Sequence, residues 1–154
     1  LHMLFAILRL FPQTFHNVVF ASVGAIDSEF FKEGDRIKAL AASTQEMLER
    51  FVAIAAKAGK PARTAFRMGT DVVETASELC LEVFKQHPQS VVFAGTLVFD
   101  KPRWWDRFLH NETAYAIQRR LKFGGVPMII LPVVLRVPAA EHTAPPADKT
   151  PASA

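Results

Sequence analysis

The stretch that decides the fold is residues 70–99, TDVVETASELCLEVFKQHPQSVVFAGTLVF. It opens on a helix-start signature, because the Asp71 carboxylate can accept a bond from an orphan amide and Glu74 can bond back. Apolar residues then recur every three or four positions until His87-Pro88 ends the pattern. The following run, 90–99, is almost continuously apolar, which is typical of a strand buried on both faces. The stretch therefore predicts a helix leading into a buried strand.

The same alternation extends toward the N-terminus. The patterns predict helices over 1–10 and 33–57 and strands over 17–26 and 62–68. Gly59 stands where a left-handed residue ends a helix, and Pro61 follows it. Arg63 and Arg67 interrupt the second of these strands and favour a place near the sheet edge.

Toward the C-terminus, Asn111 can cap a helix that runs to about Phe123 and ends at Gly124-Gly125. The segment 127–135 is the last predicted strand. Pro132 inside it demotes its later half to an edge or a bulge, because proline has no amide proton for the ladder. The residues from 138 to 154 are mainly Ala, Pro, Thr, Asp and Lys, and this composition predicts a disordered tail.

The predicted order α-β-α-β-α-β-α-β indicates an α/β fold. Strands that alternate with helices imply right-handed crossovers and a three-layer α-β-α architecture with a mostly parallel sheet. We expect one domain over 1–137. Because the pattern begins with a helix, whereas the first strand of such folds is commonly central, we also expect the first strand to be missing from this chain.

Composition excludes several classes of protein. The 154 residues are 50% hydrophobic and 21% charged, with a net charge of +3, so a packed core is expected. No apolar run reaches the roughly 18 residues of a membrane span. Cys80 is the single cysteine, and its apolar helical setting predicts a small buried side chain. No pair of the five histidines has helical metal-site spacing, so we expect no metal site and no catalytic constellation.

Ligands of open parallel sheets bind at the carboxyl ends of the strands. Small and polar residues that the predicted strands bring near this edge are therefore candidate ligand contacts. They are Ser22, Asp27, Gly69, Thr70 and Gly95.

The most informative polar segment is 101–122, KPRWWDRFLHNETAYAIQRRLK, which has a net charge of +4 and holds both tryptophans. Three interpretations stay open. The tryptophans can pack in the core while the arginines are solvated; the segment can contact a membrane surface; or the amides of the predicted helix N-terminus can hold an anion. Nucleic acid is not expected, because basic residues do not spread along a face elsewhere. Candidate residues in this segment are Trp104, Trp105, Arg107, His110, Asn111, Glu112 and Thr113.

The final GGVPMIILPV and the order of strands and helices resemble the universal stress protein fold, also called adenine-nucleotide alpha-hydrolase-like. Four further elements are similar to the cytosolic C-terminal domain of bacterial APC-superfamily transporters, the amino acid permease family. They are LFP at 10–12, VFASVG at 19–24, GTD at 69–71 and WWDRFLHNET at 104–113. The last element is also similar to the KimA-type potassium importers, which respond to cyclic di-AMP.

The resemblance implies a non-catalytic regulatory or assembly domain on the cytoplasmic face of the bacterial inner membrane. Such a domain would dock against its own transmembrane transport core and form a homodimer, with cyclic di-AMP or ATP as a candidate ligand and no required cofactor. The alternative is a free-standing nucleotide binder like the universal stress proteins, and a small α/β hydrolase or reductase is a distant third. The glycine-rich nucleotide loop of stress proteins is incomplete here: Gly95 is present, but the second glycine of the loop is absent, and Asn111-Glu112-Thr113 stands in place of its final Gly-Ser/Thr.

Overall fold

Helices and strands alternate along the chain as the sequence predicts. The computed structural model describes residues 2–26, 34–99 and 111–135, and for 96–99, 111 and 133–135 it describes the backbone alone. The elements are α1 (His2–Leu10), β1 (Val18–Ala25), α2 (Gly34–Lys57), β2 (Ala62–Gly69), α3 (Val72–Gln86), β3 (Val92–Phe99), α4 (Asn111–Phe123) and β4 (Met128–Leu135). The fold class is α/β with parallel strands. The predicted tail lies outside the described residues.

The four strands form two parallel pairs, where the sequence predicts one mostly parallel sheet. β1 pairs with β2, from Val18 opposite Ala62 to Ala25 opposite Gly69. β3 pairs with β4 from Val92 onward, with Met128 as its first partner. Within the described ranges no ladder joins one pair to the other, and this lack of hydrogen bonds between the pairs divides the sheet.

Helices cover both faces of the β1–β2 pair. Phe20 on β1 packs against Phe51 on α2, with ring centroids 5.6 Å apart. Arg67 on β2 reaches Glu78 and Glu82 on α3. Arg67 is the register partner of Val23, whose side chain points to the opposite face from that of Phe20 because successive residues of a strand alternate. The two helices therefore lie on opposite sides of the pair.

The β3–β4 pair is covered by other helices. α4 packs against both of its strands and also against α3, and α1 packs against β4. Phe93 on β3 contacts the rings of Phe11 and Phe15, which follow α1, at centroid distances of 6.0 and 5.3 Å. An aromatic cluster therefore fastens this pair to the segment that connects α1 and β1.

The predicted helix ends are formed by the expected residues. Asp71 caps α3 and its carboxylate accepts a bond from the Glu74 amide at 2.9 Å, although Glu74 makes no reciprocal bond in the described structure. Gly59 and Gly125 have φ of 73° and 71°, the left-handed conformation that ends α2 and α4. After Gly125, the Val126 amide donates to the Leu121 carbonyl.

The buried apolar side chains belong to the helices, apart from one residue that follows α4. Among the described residues they are Leu4, Ile7, Leu48, Ala55, Leu79, Ala114, Leu121 and Val126. The apolar side chains of β1 are half-buried or exposed. Leu40, which has the apolar spacing of an inward-facing residue of α2, is exposed.

Pro132 does not break β4. The strand stays paired with β3 through Leu135, with Pro132 opposite Thr96. Because the Val92 amide donates to the Pro127 carbonyl, alternation places the backbone groups of residue 132 on the side of β4 away from β3. The absent amide proton therefore costs no ladder bond, as the edge prediction requires.

Candidate functional site

The candidate residues divide into those that the structure describes and those that it does not. Ser22, Gly69, Thr70, Gly95, Glu112 and Thr113 are described, together with the backbone of Asn111. The other candidates, Asp27, Trp104, Trp105, Arg107 and His110, lie outside the described residues.

Gly69 and Thr70 lie at the carboxyl end of the β1–β2 pair. The Ile26 amide donates to the Gly69 carbonyl at 2.9 Å, which closes the ladder at this edge. Gly69 lies so close to α3 that an added Cβ would clash with the side chain of Thr75. Thr70 is exposed between β2 and α3. At this edge the exposed Thr70 hydroxyl therefore lies next to the Gly69 backbone, which packs tightly against α3.

Ser22 and Gly95 lie within their strands, not at the edge where the sequence predicts them. Ser22 is opposite Phe66 in the β1–β2 ladder, and the strand continues to Ala25. Gly95 is opposite Leu131, and β3 continues to Phe99. A glycine in an apolar run suggests a strand end, but here the ladder passes through it. These two residues are therefore not at the carboxyl ends with Gly69 and Thr70.

The N-terminus of α3 already holds an anionic group. The Asp71 carboxylate accepts the Glu74 amide, and Glu74 adds a second acid in the first turn. The partial positive charge of a helix N-terminus favours one anion there, so a carboxylate in place disfavours an incoming phosphate. This helix end contributes to fold stability rather than to an open anion site.

The arginine nearest to this helix is also engaged. Arg67 donates from two guanidinium nitrogens to Glu78 and Glu82, with the Nη1 to Glu78 Oε2 distance at 3.4 Å. Its side chain is partly exposed. The pairing neutralises Arg67 and ties β2 to α3, so this arginine is not available to bind an anionic ligand without breaking two contacts.

The described part of the basic segment is α4. The helix begins at Asn111, with Glu112 exposed and Thr113 half-buried in its first turn. Its last turns carry exposed Arg119, Arg120 and Lys122. The positive charge thus gathers at the helix C-terminus, where cations interact favourably with the helix dipole.

Two large exposed side chains accompany this charge. The Phe123 side chain is 87% exposed and Tyr115 is 53% exposed. The sequence pattern indicates Phe123 only as the end of the helix. Its exposure could have been predicted from its position between Lys122 and the two glycines that end the helix, because residues at such a turn lie at the surface.

Other features of the described chain point to no chemistry. Cys80, predicted to be a small buried side chain, is half-buried, and this burial raises the pKa of its thiol above the ordinary value and so disfavours the reactive thiolate. No cluster of His, Cys, Asp and Glu that could hold a metal ion occurs in 2–26, 34–99 or 111–135. None of the helices described is both long enough and apolar enough to cross a bilayer.

An open depression of about 390 Å³ lies between the end of α4 and the start of β4. Gln118 donates a hydrogen bond to the Met128 carbonyl at its floor, at 3.0 Å. The depression is at the amino ends of the strands, the opposite edge from the one where ligands of parallel sheets bind. It does not coincide with any candidate residue.

Comparison of the chain with protein-family models found no match. Comparison with curated proteins and with solved structures found none either.

Proposed function

We propose that the chain is a non-catalytic cytosolic domain that regulates or assembles an APC-type membrane transporter. Transport of an amino acid or a cation is then carried by a transmembrane part that this chain does not include. The proposal takes the fold to be the three-layer, universal-stress-protein-like arrangement of the resemblance, without its first strand. It places the domain at the cytoplasmic face of the bacterial inner membrane, where it forms a homodimer.

The observation that carries the proposal is the exposed surface of α4 formed by Tyr115, Arg119, Arg120, Lys122 and Phe123, here called the α4 surface. Aromatic and arginine side chains are enriched where proteins bury surface against a partner. Each Lys or Arg close to anionic lipid contributes about 1 kcal/mol, and aromatic rings favour the membrane interface. A domain held next to a lipid bilayer by its transport core needs a face of this composition.

Vesicle sedimentation tests the α4 surface. The chain is expected to pellet with vesicles of phosphatidylcholine and phosphatidylglycerol and to stay in solution with phosphatidylcholine alone. Replacing Arg119, Arg120 and Lys122 by Gln should abolish pelleting, because the attraction is electrostatic. The matched control replaces three exposed cations elsewhere, Lys38, Lys57 and Arg63.

The control variant should pellet like the parent chain. Equal loss in both variants would show an unspecific effect of net charge and would count against a dedicated α4 surface. The transporter assignment has its own test in the coding sequence upstream of residue 1. Repeated apolar spans are expected there, and a start codon without them would overturn the assignment.

The alternative function is a free-standing nucleotide binder. Exposed Thr70 and the tightly packed Gly69 favour it, because they lie at the carboxyl edge of a parallel pair. Calorimetric titration with ATP and with cyclic di-AMP separates the outcomes. Heat that Thr70→Ala and Thr70→Val both reduce would place a ligand at this edge, whereas no heat with either nucleotide would leave an assembly role alone.

A further inference from the structure

The strand layer has two outer edges, one on β2 and one on β4. α2 and α3 cover opposite faces of the β1–β2 pair, so right-handed crossovers lead the chain from β2 back past β1 toward β3. α4 contacts α3, and its crossover continues in the same direction to β4. The edges of β2 and β4 that face away from their ladder partners therefore lie at the two sides of the layer.

The outer edge of β4 is closed to further pairing. The Val92 amide donates to the Pro127 carbonyl, so the even-numbered residues of β4 direct their backbone groups outward. Among these residues, Met128 has its carbonyl bonded to the Gln118 side chain at 3.0 Å, and Pro132 has no amide proton. A covering side chain and a proline both prevent a new strand from pairing at this edge.

The outer edge of β2 is open in the described part of the chain. The Ile26 amide donates to the Gly69 carbonyl, so the odd-numbered residues of β2 bond to β1. The even-numbered residues direct their amides and carbonyls outward, and these groups have no hydrogen-bond partner within 2–26, 34–99 and 111–135. They are Ala62, Thr64, Phe66 and Met68. β2 contains no proline, and Thr64 is exposed near its middle.

The two faces of β2 differ in chemistry along this edge. Arg67 reaches two acids of α3, so the odd-numbered side chains, Arg63 among them, lie on the α3 face. The even-numbered side chains lie on the α2 face, where Phe66 and Met68 are half-buried. A strand added to this edge therefore needs apolar side chains over α2 and polar side chains over α3.

The two arginines of the α3 face differ in their partners. Arg67 is engaged by two glutamates of α3, whereas exposed Arg63 has no ion pair or hydrogen bond among the described residues. An acidic side chain opposite Arg63 therefore meets an unpaired cation, but one opposite Arg67 also meets the two glutamates. The edge favours a single acid at one position of an added strand.

We propose that the outer edge of β2 binds an extended segment of a partner protein, which adds to the β1–β2 pair as a strand and places an acidic side chain opposite Arg63. In this mode of recognition main-chain hydrogen bonds provide affinity, and side chains provide specificity. The added strand runs antiparallel to β2, because antiparallel ladders are slightly more stable per residue. The inference goes beyond the proposed function, since it uses neither the α4 surface nor a nucleotide.

Two other occupants fit this edge less well. A second copy that paired its own β2 antiparallel about Ala65 would place Arg63 opposite Arg67, and like charges directly opposite each other destabilise a ladder. The residues after β4 are interrupted by prolines, and their longest run without one, 139–144, is shorter than the eight residues of β2. Both features favour a segment of another protein.

Amide hydrogen exchange, read residue by residue by NMR, tests whether the edge is open. In the chain alone the Thr64 and Phe66 amides should exchange at least about tenfold faster than the Arg63 and Ala65 amides, which bond to β1. Slow exchange of the Thr64 and Phe66 amides in a dilute sample would show that the chain covers its own edge, and it would overturn the proposal. Slow exchange that is lost on dilution would show a second copy there and would overturn it too.

Two peptides of identical composition, blocked at both ends, test the occupant. TVTVTVEV, paired antiparallel with β2, places its Glu opposite Arg63, whereas TVEVTVTV places its Glu opposite Arg67. The first peptide should slow exchange of the outward amides and bind at least about threefold more tightly in a fluorescence anisotropy titration. Equal affinities or the reverse order would refute the preference for an acid at Arg63, and failure of both peptides to protect the outward amides would refute binding at this edge.

Variants of β2 separate charge from backbone pairing. Arg63→Gln should remove the difference between the two peptides, whereas Lys57→Gln, at an exposed position on α2, is the charge-matched control. Thr64→Pro removes an outward amide, so it should leave the fold intact and abolish peptide binding. Ala65→Pro removes an amide bonded to β1 and should destabilise the chain itself. Unchanged peptide binding to the Thr64→Pro chain would show that the peptide binds elsewhere.

Discussion

The β1–β2 pair and the β3–β4 pair have the same parallel geometry but differ in the side chains that join them to the elements around them. The first pair has one ring contact, between Phe20 and Phe51 on α2, and a set of ion pairs on its other face. Arg67 connects the first pair to α3 by bonds to Glu78 and Glu82 on a partly exposed face. The second pair is attached to the connection 11–17 by rings alone, and Phe11, Phe15 and Phe93 each contact the other two. Exposed ion pairs contribute little, about 0–1 kcal/mol, whereas apolar burial contributes more for each side chain.

The difference teaches where stability resides in this molecule. Charged contacts of the β1–β2 pair orient α3, and their contribution falls with salt. The free energy of folding should come mainly from apolar side chains, of which Leu121 on α4 is the largest that is fully buried in the described part of the chain. The expected loss of stability is therefore largest for truncation of a core side chain. It is smaller for a new Cβ at a tightly packed glycine, and smallest for removal of exposed ion pairs.

The largest effect is expected for Leu121→Ala. Leu121 is 0% exposed, so its truncation leaves a cavity and should lower the free energy of unfolding by about 2–5 kcal/mol. Denaturant unfolding followed by circular dichroism measures the loss. Phe123→Ala, two residues away and mostly exposed, is the matched control and should change stability by less than about 0.5 kcal/mol.

Hydrogen exchange in Leu121→Ala also tests whether the two pairs unfold together. Faster exchange in both β1 and β3 would indicate one cooperative unit joined through α3 and α4. Acceleration confined to β3 and β4 would show that the pairs are separate, as the missing ladder between them allows. Equal losses for the Leu121 and Phe123 variants would contradict the assignment of the core to α4.

A smaller effect is expected for Gly69→Ala in the β1–β2 pair. The new Cβ would overlap the side chain of Thr75, so we expect a loss of about 1–3 kcal/mol. Gly34→Ala is the control, because nothing lies within 4 Å of a Cβ at that position. Adding Thr75→Ala to Gly69→Ala should cost less than the two single changes together. Full additivity in a double-mutant cycle would contradict direct contact.

Local signals predicted the elements well because each signal acts within a few residues. Asp71 caps α3, Gly59 ends α2 in the left-handed conformation, and Pro132 marks an edge strand. These features depend on backbone conformation and nearby hydrogen bonds, which a single sequence specifies. Strand bounds were therefore predicted to within one or two residues.

Signals that depend on distant partners were predicted less well. Gly95 suggested a strand end, but Leu131 continues the ladder opposite it, and Leu40 has helical apolar spacing although it is 42% exposed. The division into two strand pairs depends on hydrogen bonds between distant segments, which no local pattern encodes. Of the candidate site, Gly69 and Thr70 reach the expected edge because they end a strand whose bounds were predictable.

The smallest loss of stability is expected for removal of the Arg67 ion pairs, and its dependence on salt distinguishes them from the aromatic cluster. Arg67→Ala should lower the free energy of unfolding by about 0.2–1 kcal/mol at low salt, because it removes two exposed ion pairs. In roughly 1 M NaCl the Debye length falls to about 3 Å, so most of this difference should disappear. Arg63→Ala on the same strand is the control.

Phe15→Ala, which removes one ring of the aromatic cluster, provides the opposite case. Its loss of stability should be at least as large in roughly 1 M NaCl as at low salt, because dissolved ions screen charges and not apolar burial. Denaturant titrations of both variants at the two salt concentrations measure the contrast. If the Arg67 and Phe15 variants responded to salt alike, the two strand pairs would not differ in the way that their contacts indicate.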